Sequence, residues 1–253
     1  MYFQVSDNIR LVSFRNTIIL LDLVKNDYLV LPDDSSSQLR LILNSEMGFS
    51  HSEGTYVCSD IEVDCPDQIS ELLELFLKNG YLVKTNSPPS DLIDLSPNNK
   101  TGAKNIDWKI HFDDLEYRCS AVDFVLAYLE LIKVCFVSYF CTFKRLVNIT
   151  NLDSCEKPVC CAPDKQSENE LANALNIACL YFPFRIKCLE WAVTYVRLSH
   201  KRMWRCSLQI GVQNMPFMAH AWAKTANGVV LDDQKLTESL AIIVNEPFTD
   251  KEL

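Results

Sequence analysis

Three residues toward the C-terminal end have the types and spacing of a covalent catalyst: Cys188, His220 and Asp232, separated by 32 and 12 positions. From Lys187 the chain reads Cys-Leu-Glu-Trp-Ala-Val-Thr-Tyr-Val-Arg-Leu, a helical pattern with Cys188 in its first turn. Unsatisfied N–H groups and the dipole at a helix N-terminus favour thiolate over thiol. A neighbouring imidazole does the same and can protonate a departing amine. An acid beside that imidazole fixes its tautomer and stabilises its cation. His220 lies in Ala219-His220-Ala221-Trp222-Ala223, which reads as a strand, and Asp232 ends Val229-Val230-Leu231-Asp232, which reads as the returning strand. The ordinary role of a helical cysteine is that of a small buried hydrophobe, so geometry has to decide.

Hairpin register bears directly on that geometry. A two-residue turn at Asn227-Gly228 pairs Ala226 with Val229 and sets Ala223, not His220, opposite Asp232. A five-residue loop from Lys224 to Gly228 pairs Ala223 with Val229 and places His220 opposite Asp232, with Gly228 free to adopt the left-handed conformation. The triad therefore requires the longer turn or a bulge. Asp233 is the fallback acid, although strand alternation points it to the other face.

The elements that must position these residues fall into two parts. Ile9 to Phe14, Thr17 to Val24 and Tyr28 to Leu31 read as a three-stranded meander with turns at Arg15-Asn16 and Lys25-Asn26-Asp27. Pro32 ends the third strand, and Asp33 or Asp34 is placed to cap a helix running to about Leu43. A further helix from Asp67 to Asn79 sets Ile69, Leu72, Leu73, Phe76 and Leu77 on one face and stops at Gly80. Residues 86–104, with a Pro pair, Pro97 and Gly102, read as a linker between a domain at 1–85 and one at 105–253. In the second part, a long apolar helix over 120–143, a helix from Glu168 to Tyr181, the Cys188 helix and a strand from Arg205 to Val212 precede the hairpin. The fold class expected is α+β: a small three-stranded sheet with winged-helix-like helices, then a second α+β domain.

Charge and cysteine usage narrow the partners. The net charge is −9, and residues 1–85 hold six Lys/Arg against thirteen Asp/Glu, a net of −7. Nucleic acid needs cations to displace phosphate counterions, so no nucleic-acid partner is expected. The stretch Ala121 to Phe143 carries Asp123, Glu130 and Lys133, too many central charges for a membrane span. Eleven cysteines form no framework, and the N-terminus has neither the basic start nor the apolar run of a signal peptide. Free thiols in a reducing cytoplasm are the expectation. Cys155, Cys160 and Cys161 lack knuckle spacing and a nearby histidine, so no metal is expected there. His51, His111 and His200 show no partner pattern.

Helix-borne Cys, strand-borne His and next-strand Asp is the layout of papain-like and transglutaminase-like enzymes. Cys188-Leu189, Ile210-Gly211-Val212, Pro216-Phe217, Ala219-His220-Ala221-Trp222 and Asn227 to Asp232 together resemble the transglutaminase-like proteases of lasso-peptide maturation, over about residues 165–235. Glu190 and Trp191 after the cysteine, and Ala223-Lys224 after Ala221-Trp222, depart from that family's usual residues. Residues 5–85 resemble, in order and spacing, the peptide-recognition domains related to the pyrroloquinoline-quinone peptide chaperone. Both halves together resemble the fused B proteins of the microcin-processing type.

The resemblance implies a leader peptidase without a cofactor of its own. Its leader would add as a strand beside Tyr28, Leu29, Val30 and Leu31 and lie against Leu72, Leu75 and Phe76. Its partners would be the precursor peptide and an asparagine-synthetase-like cyclase, through which ATP would enter. An acyltransferase with the same triad, and a non-catalytic precursor-binding scaffold, are the competing readings.

Overall fold

The computed structural model describes residues 1–43, 49–52, 55–58, 66–87, 93–104, 110, 119–151, 161–248 and 252–253. The chain forms a mixed α/β structure with small sheets, divided into compact units at Met1–Lys100 and Thr101–Leu253.

In the first unit β1 (Tyr2–Val5) is followed by the meander β2 (Ile9–Phe14), β3 (Thr17–Asp22) and β4 (Asp27–Leu31). The antiparallel ladders run Phe14 to Thr17 across one turn and Asp22 to Asp27 across the next. Arg15 and Asn26 supply left-handed turn residues, at φ 56° and 54°. In the second turn Asp22 Oδ1 accepts from the N–H groups of Val24 and Lys25 at 2.9 and 3.1 Å. Helix α1 (Asp33–Ile42) follows, and its N-cap is Pro32 with no side-chain cap bond. Asp33 and Asp34 instead sit in the first turn, where their charge opposes the helix dipole's positive end.

Strands β5 (Phe49–Ser52) and β6 (Thr55–Cys58) form a hairpin, α2 (Pro66–Lys78) follows, and β7 (Leu82–Thr85) returns to pair with β1. None of β1, β5, β6 and β7 is among the strands expected from alternation, because each is only four residues long. Helix α2 ends in a Schellman motif at Gly80 (φ 72°): Gly80 N–H bonds Leu77 O, Tyr81 N–H bonds Phe76 O, and the Phe76 and Tyr81 rings meet at 5.5 Å.

The Pro- and Asn-rich stretch read as linker is held down where it is described. Leu95 enters the first unit's core, and its carbonyl accepts from Ser13 Oγ and from Arg40 Nε at 2.7 Å. The Asn98 side chain accepts from Arg15 N–H and donates to Ser13 O. Residues 93–100 thus belong to the first unit, and the partition at Lys100–Thr101 falls inside the stretch 86–104 read as linker. Two residues on, Gly102 N–H already bonds Ser239 O. Composition marks the stretch as irregular; only these side-chain bonds reveal that it is tied down.

The second unit contains α3 (Ala121–Phe140), α4 (Phe143–Asn148), α5 (Lys165–Leu180) and α6 (Cys188–Lys201). Then come β8 (Ser207–Gln213), β9 (Met218–Thr225), β10 (Gly228–Val229), α7 (Leu236–Ser239) and β11 (Ala241–Glu246). The sheet order is β10-β9-β8-β11. Among the described residues no helix is long and apolar enough to cross a membrane.

The charges of α3 are used to hold α6. Glu130, 1% exposed, accepts from Arg197 Nε at 2.5 Å and from Lys201 Nζ, and Asp123 pairs with Arg202. The opposite side of α3 leaves Val122, Leu126, Leu129, Phe136 and Phe140 exposed, so the helix is core on one side only. Burial alone would push the Glu130 carboxyl up, but bonds from Lys201 and Arg197 hold it below its ordinary value. A depressed folded value stabilises the protein above the unfolded pKa and is lost as pH falls through the folded one. Arg197→Ala, which removes one of the cations on Glu130 and leaves Lys201 and Lys133, is expected to cost about 2 kcal/mol at pH 7. In urea unfolding that penalty should shrink as the pH is taken well below 4; a pH-independent penalty would refute the electrostatic account.

Candidate active site

Cys188 is the first residue of α6 and is half-buried. The turn that carries it is fixed by Glu190, whose Oε2 accepts from Lys187 N–H at 3.1 Å and whose Oε1 accepts from Ser138 Oγ of α3 at 2.9 Å. This is the reciprocal half of a capping box, legible as a Glu two residues after the cysteine. Trp191 is buried, donates to Asn176 Oδ1 of α5 at 2.8 Å and stacks on Tyr195. The two residues that depart from the resembled family therefore support the helix from below.

His220 lies on β9 directly opposite Gly211 of β8 and is 3% exposed. Its Nε2 is 2.7 Å from Asp232 Oδ2, which leaves Nδ1 for the Cys188 sulfur, also within hydrogen-bonding contact of the ring. Trp222, two residues on, lies on the same face, with ring centroids 5.9 Å apart, and donates to Gln209 Oε1 at 3.0 Å. A Cβ on Gly211 would stand 2.6 Å from the Trp222 ring and 2.8 Å from Leu240 Cβ. Glycine inside a strand is the signal for such a close approach.

The hairpin differs from both expected turns. The turn residues are Ala226-Asn227, with Gly228 paired to Thr225 and Val229 to Lys224, and the return strand ends at Val229. Continued, this register would set Asp233 opposite His220. The chain instead leaves the ladder at Leu231, in the left-handed region at φ 48°, and Asp232 turns to the imidazole. Asp233 is exposed, and its Oδ1 accepts from Lys235 N–H. The turn itself is anchored by Glu168 of α5, fully buried, which accepts from Thr225 Oγ1 at 2.5 Å and Asn227 Nδ2 at 3.2 Å. Neither contact has a sequence signal, because both partners are distant in the chain.

Burial disfavours an imidazolium, but the bonds to Asp232 and Cys188 outweigh it and raise the His220 pKa to about 9. The other cysteines differ in kind. Burial raises the thiols of Cys135 and Cys179 to about 12 and pushes Cys206 up as well, so these three remain protonated. His200 is buried, shares its Nε2 with Cys206 O at 2.8 Å, and is lowered by burial. Cys161 makes a backbone bridge to Trp204, while Cys155, Cys160 and His111 lie outside the described residues. Among the described residues no group of His, Cys, Asp and Glu could hold a metal ion.

Residues 134–245 match the transglutaminase-like superfamily. The matched span runs from the middle of α3 through β11 and includes Cys188, His220 and Asp232. No curated protein and no solved structure matches the chain. The matched span thus brings a thiol, an imidazole and a carboxylate together, and the transglutaminase-like match is consistent with cysteine protease or acyltransferase-type activity.

In the first unit β4 is an edge strand of its sheet. Leu29 and Leu75 are exposed, Tyr28 and Val30 are intermediate, and Leu72 packs partly against the core. Leu31 and Phe76 belong to the core cluster and present no surface to a ligand. The exposure of Leu75 and burial of Phe76 follow the helical period, which sets Phe76 on the apolar face of α2 and Leu75 off it.

His220 should titrate near pH 9 by NMR in the wild type and lower in both Cys188→Ala and Asp232→Asn. Its raised value contributes stability that is complete below pH 6.5 and lost as pH rises through about 9. A wild-type His220 titrating at or below 6.5 would remove the pairing. Gly211→Ala should destabilise by about 1–3 kcal/mol through overpacking against Trp222, read as a lower urea midpoint.

Proposed function

We propose that this chain is a leader peptidase of lasso-peptide maturation, with Cys188 as nucleophile, His220 as proton carrier and Asp232 as its partner. The contact of a half-buried Cys188 at a helix N-terminus with the His220–Asp232 pair carries the reading. The Cys188 sulfur would attack the carbonyl at the leader–core junction. The N–H groups of the first turn of α6, that of Cys188 first, are the natural donors to the oxyanion. His220 would give its proton to the departing core amine as the C–N bond breaks, leaving a leader thioester. Water, deprotonated by the same imidazole, would hydrolyse that thioester and return the free thiol.

The N-terminal unit is read as a winged-helix-like leader-recognition domain. Its support is the β4 edge beside Tyr28 to Leu31, the exposed Leu75, and the acidic charge of residues 1–85. A strand edge supplies backbone hydrogen bonds to a peptide, and the charge favours a leader rich in lysine. The proposed setting is cytoplasmic, beside an asparagine-synthetase-like cyclase that uses ATP to close the freed amine onto a side-chain carboxyl.

Purified protein incubated with the precursor encoded beside its gene, with and without the cyclase and ATP, should release a leader-sized fragment by mass spectrometry. Cys188→Ala should release none while still binding the leader. Transfer of the leader acyl group to an added amine, without hydrolysis, would assign an acyltransferase. Equal processing by wild type and Cys188→Ala would overturn the nucleophile.

A further inference from the structure

Asp232 is not delivered to His220 by a strand. The last ladder bond beyond the hairpin turn runs from Val230 N–H to Ala223 O at 3.0 Å. Alternation along an antiparallel pair therefore turns the N–H and C=O of Val229 away from β9. Val229 is 2% exposed, so those two groups would be desolvated without partners. Gln234 takes both: its Oε1 accepts from Val229 N–H at 2.9 Å, and its Nε2 donates to Val229 O at 2.5 Å. A carboxamide carries the donor and acceptor of a peptide unit, so this side chain replaces one residue of an absent strand.

The two bonds close the loop Val229–Gln234 at its base. Within it Leu231 takes its left-handed conformation, Asp232 Oδ1 accepts from Asp233 N–H at 2.8 Å, and Oδ2 meets His220. The chain also reserves room for the amide. A Cβ on Gly228 would stand 2.3 Å from Gln234 Oε1, and Gly228 itself has φ 108°. We propose that Gln234 is the positioning residue of the site, holding Asp232 against His220 by clamping the backbone of Val229. The inference rests on the reading that Cys188, His220 and Asp232 act together, but its test needs no substrate.

Full-length wild type, Gln234→Leu and Gln234→Glu would be compared by NMR titration of His220 and by the rate at which iodoacetamide alkylates Cys188 at pH 7, resolved peptide by peptide. Leucine removes both bonds; glutamate keeps the acceptor and loses the donor. In Gln234→Leu the His220 titration should fall from about 9 toward 6.5, and Cys188 alkylation should slow roughly ten-fold. Gln234→Glu should lie between. A residue that only fills a strand edge would lower the melting temperature and leave both readouts within about two-fold of wild type, and that result overturns the proposal. If Gln234→Leu does not fold, Gln234→Glu decides by the same readouts. Should the wild type cleave no peptide, the protease reading fails while the His220 comparison still judges Gln234.

Discussion

A charged imidazole with almost no solvent access must have its charge answered within hydrogen-bonding distance, and that requirement organises the second unit. His220 is 3% exposed, and Asp232 and the Cys188 sulfur meet its ring as charge partners. Each comes from a different element, so three separately folded pieces have to converge on one ring. The sheet supplies His220, the first turn of α6 supplies Cys188, and an irregular loop supplies Asp232. An error of about 1 Å in any of them would break the hydrogen-bonding contact that answers the imidazole's charge.

Each piece is secured by buried polar contacts rather than by apolar packing alone. Glu190 ties the Cys188 turn to Ser138, and Glu130 and Asp123 grip the far half of α6 through Arg197, Lys201 and Arg202. Glu168 grips the hairpin turn. Apolar contacts slide at little cost, whereas a buried carboxylate loses much if its donors move, so these contacts set position as well as stability. The same contrast separates the thiols. Burial raises the thiols of Cys135, Cys179 and Cys206, which stay protonated, while Cys188 stands in the first turn of α6 beside the His220 imidazole.

The site's departure from regular structure is local. Strand β9 keeps register with β8 through all seven pairs, including Gly211–His220 and Gln209–Trp222. On its other side the ladder has two pairs before Leu231 turns it aside. Conformational strain is thus confined to the loop that carries the acid, where a regular strand would have offered Asp233 instead. Functional sites commonly hold such residues because the surrounding contacts over-determine them.

Much of this was legible in the residues themselves. The meander, α2 with its Gly80 stop, α6 beginning at Cys188 and the strand bearing His220 follow from periodicity and turn chemistry, which act over a few neighbouring residues. So did the candidate nucleophile and base, because a cysteine in a first helical turn is a local pattern. The four-residue strands β1 and β7 were not legible, since their pairing joins segments far apart in the chain. Nor were the holding of residues 93–100 by Ser13, Arg15 and Arg40, or the return strand's end at Val229. Local sequence determined which side chains are candidates for chemistry and which elements bear them. Tertiary structure decided the path by which Asp232 reaches His220, because the return strand ends at Val229, Leu231 turns the chain aside, and the Gln234 side chain, outside the ladder, takes the Val229 backbone groups.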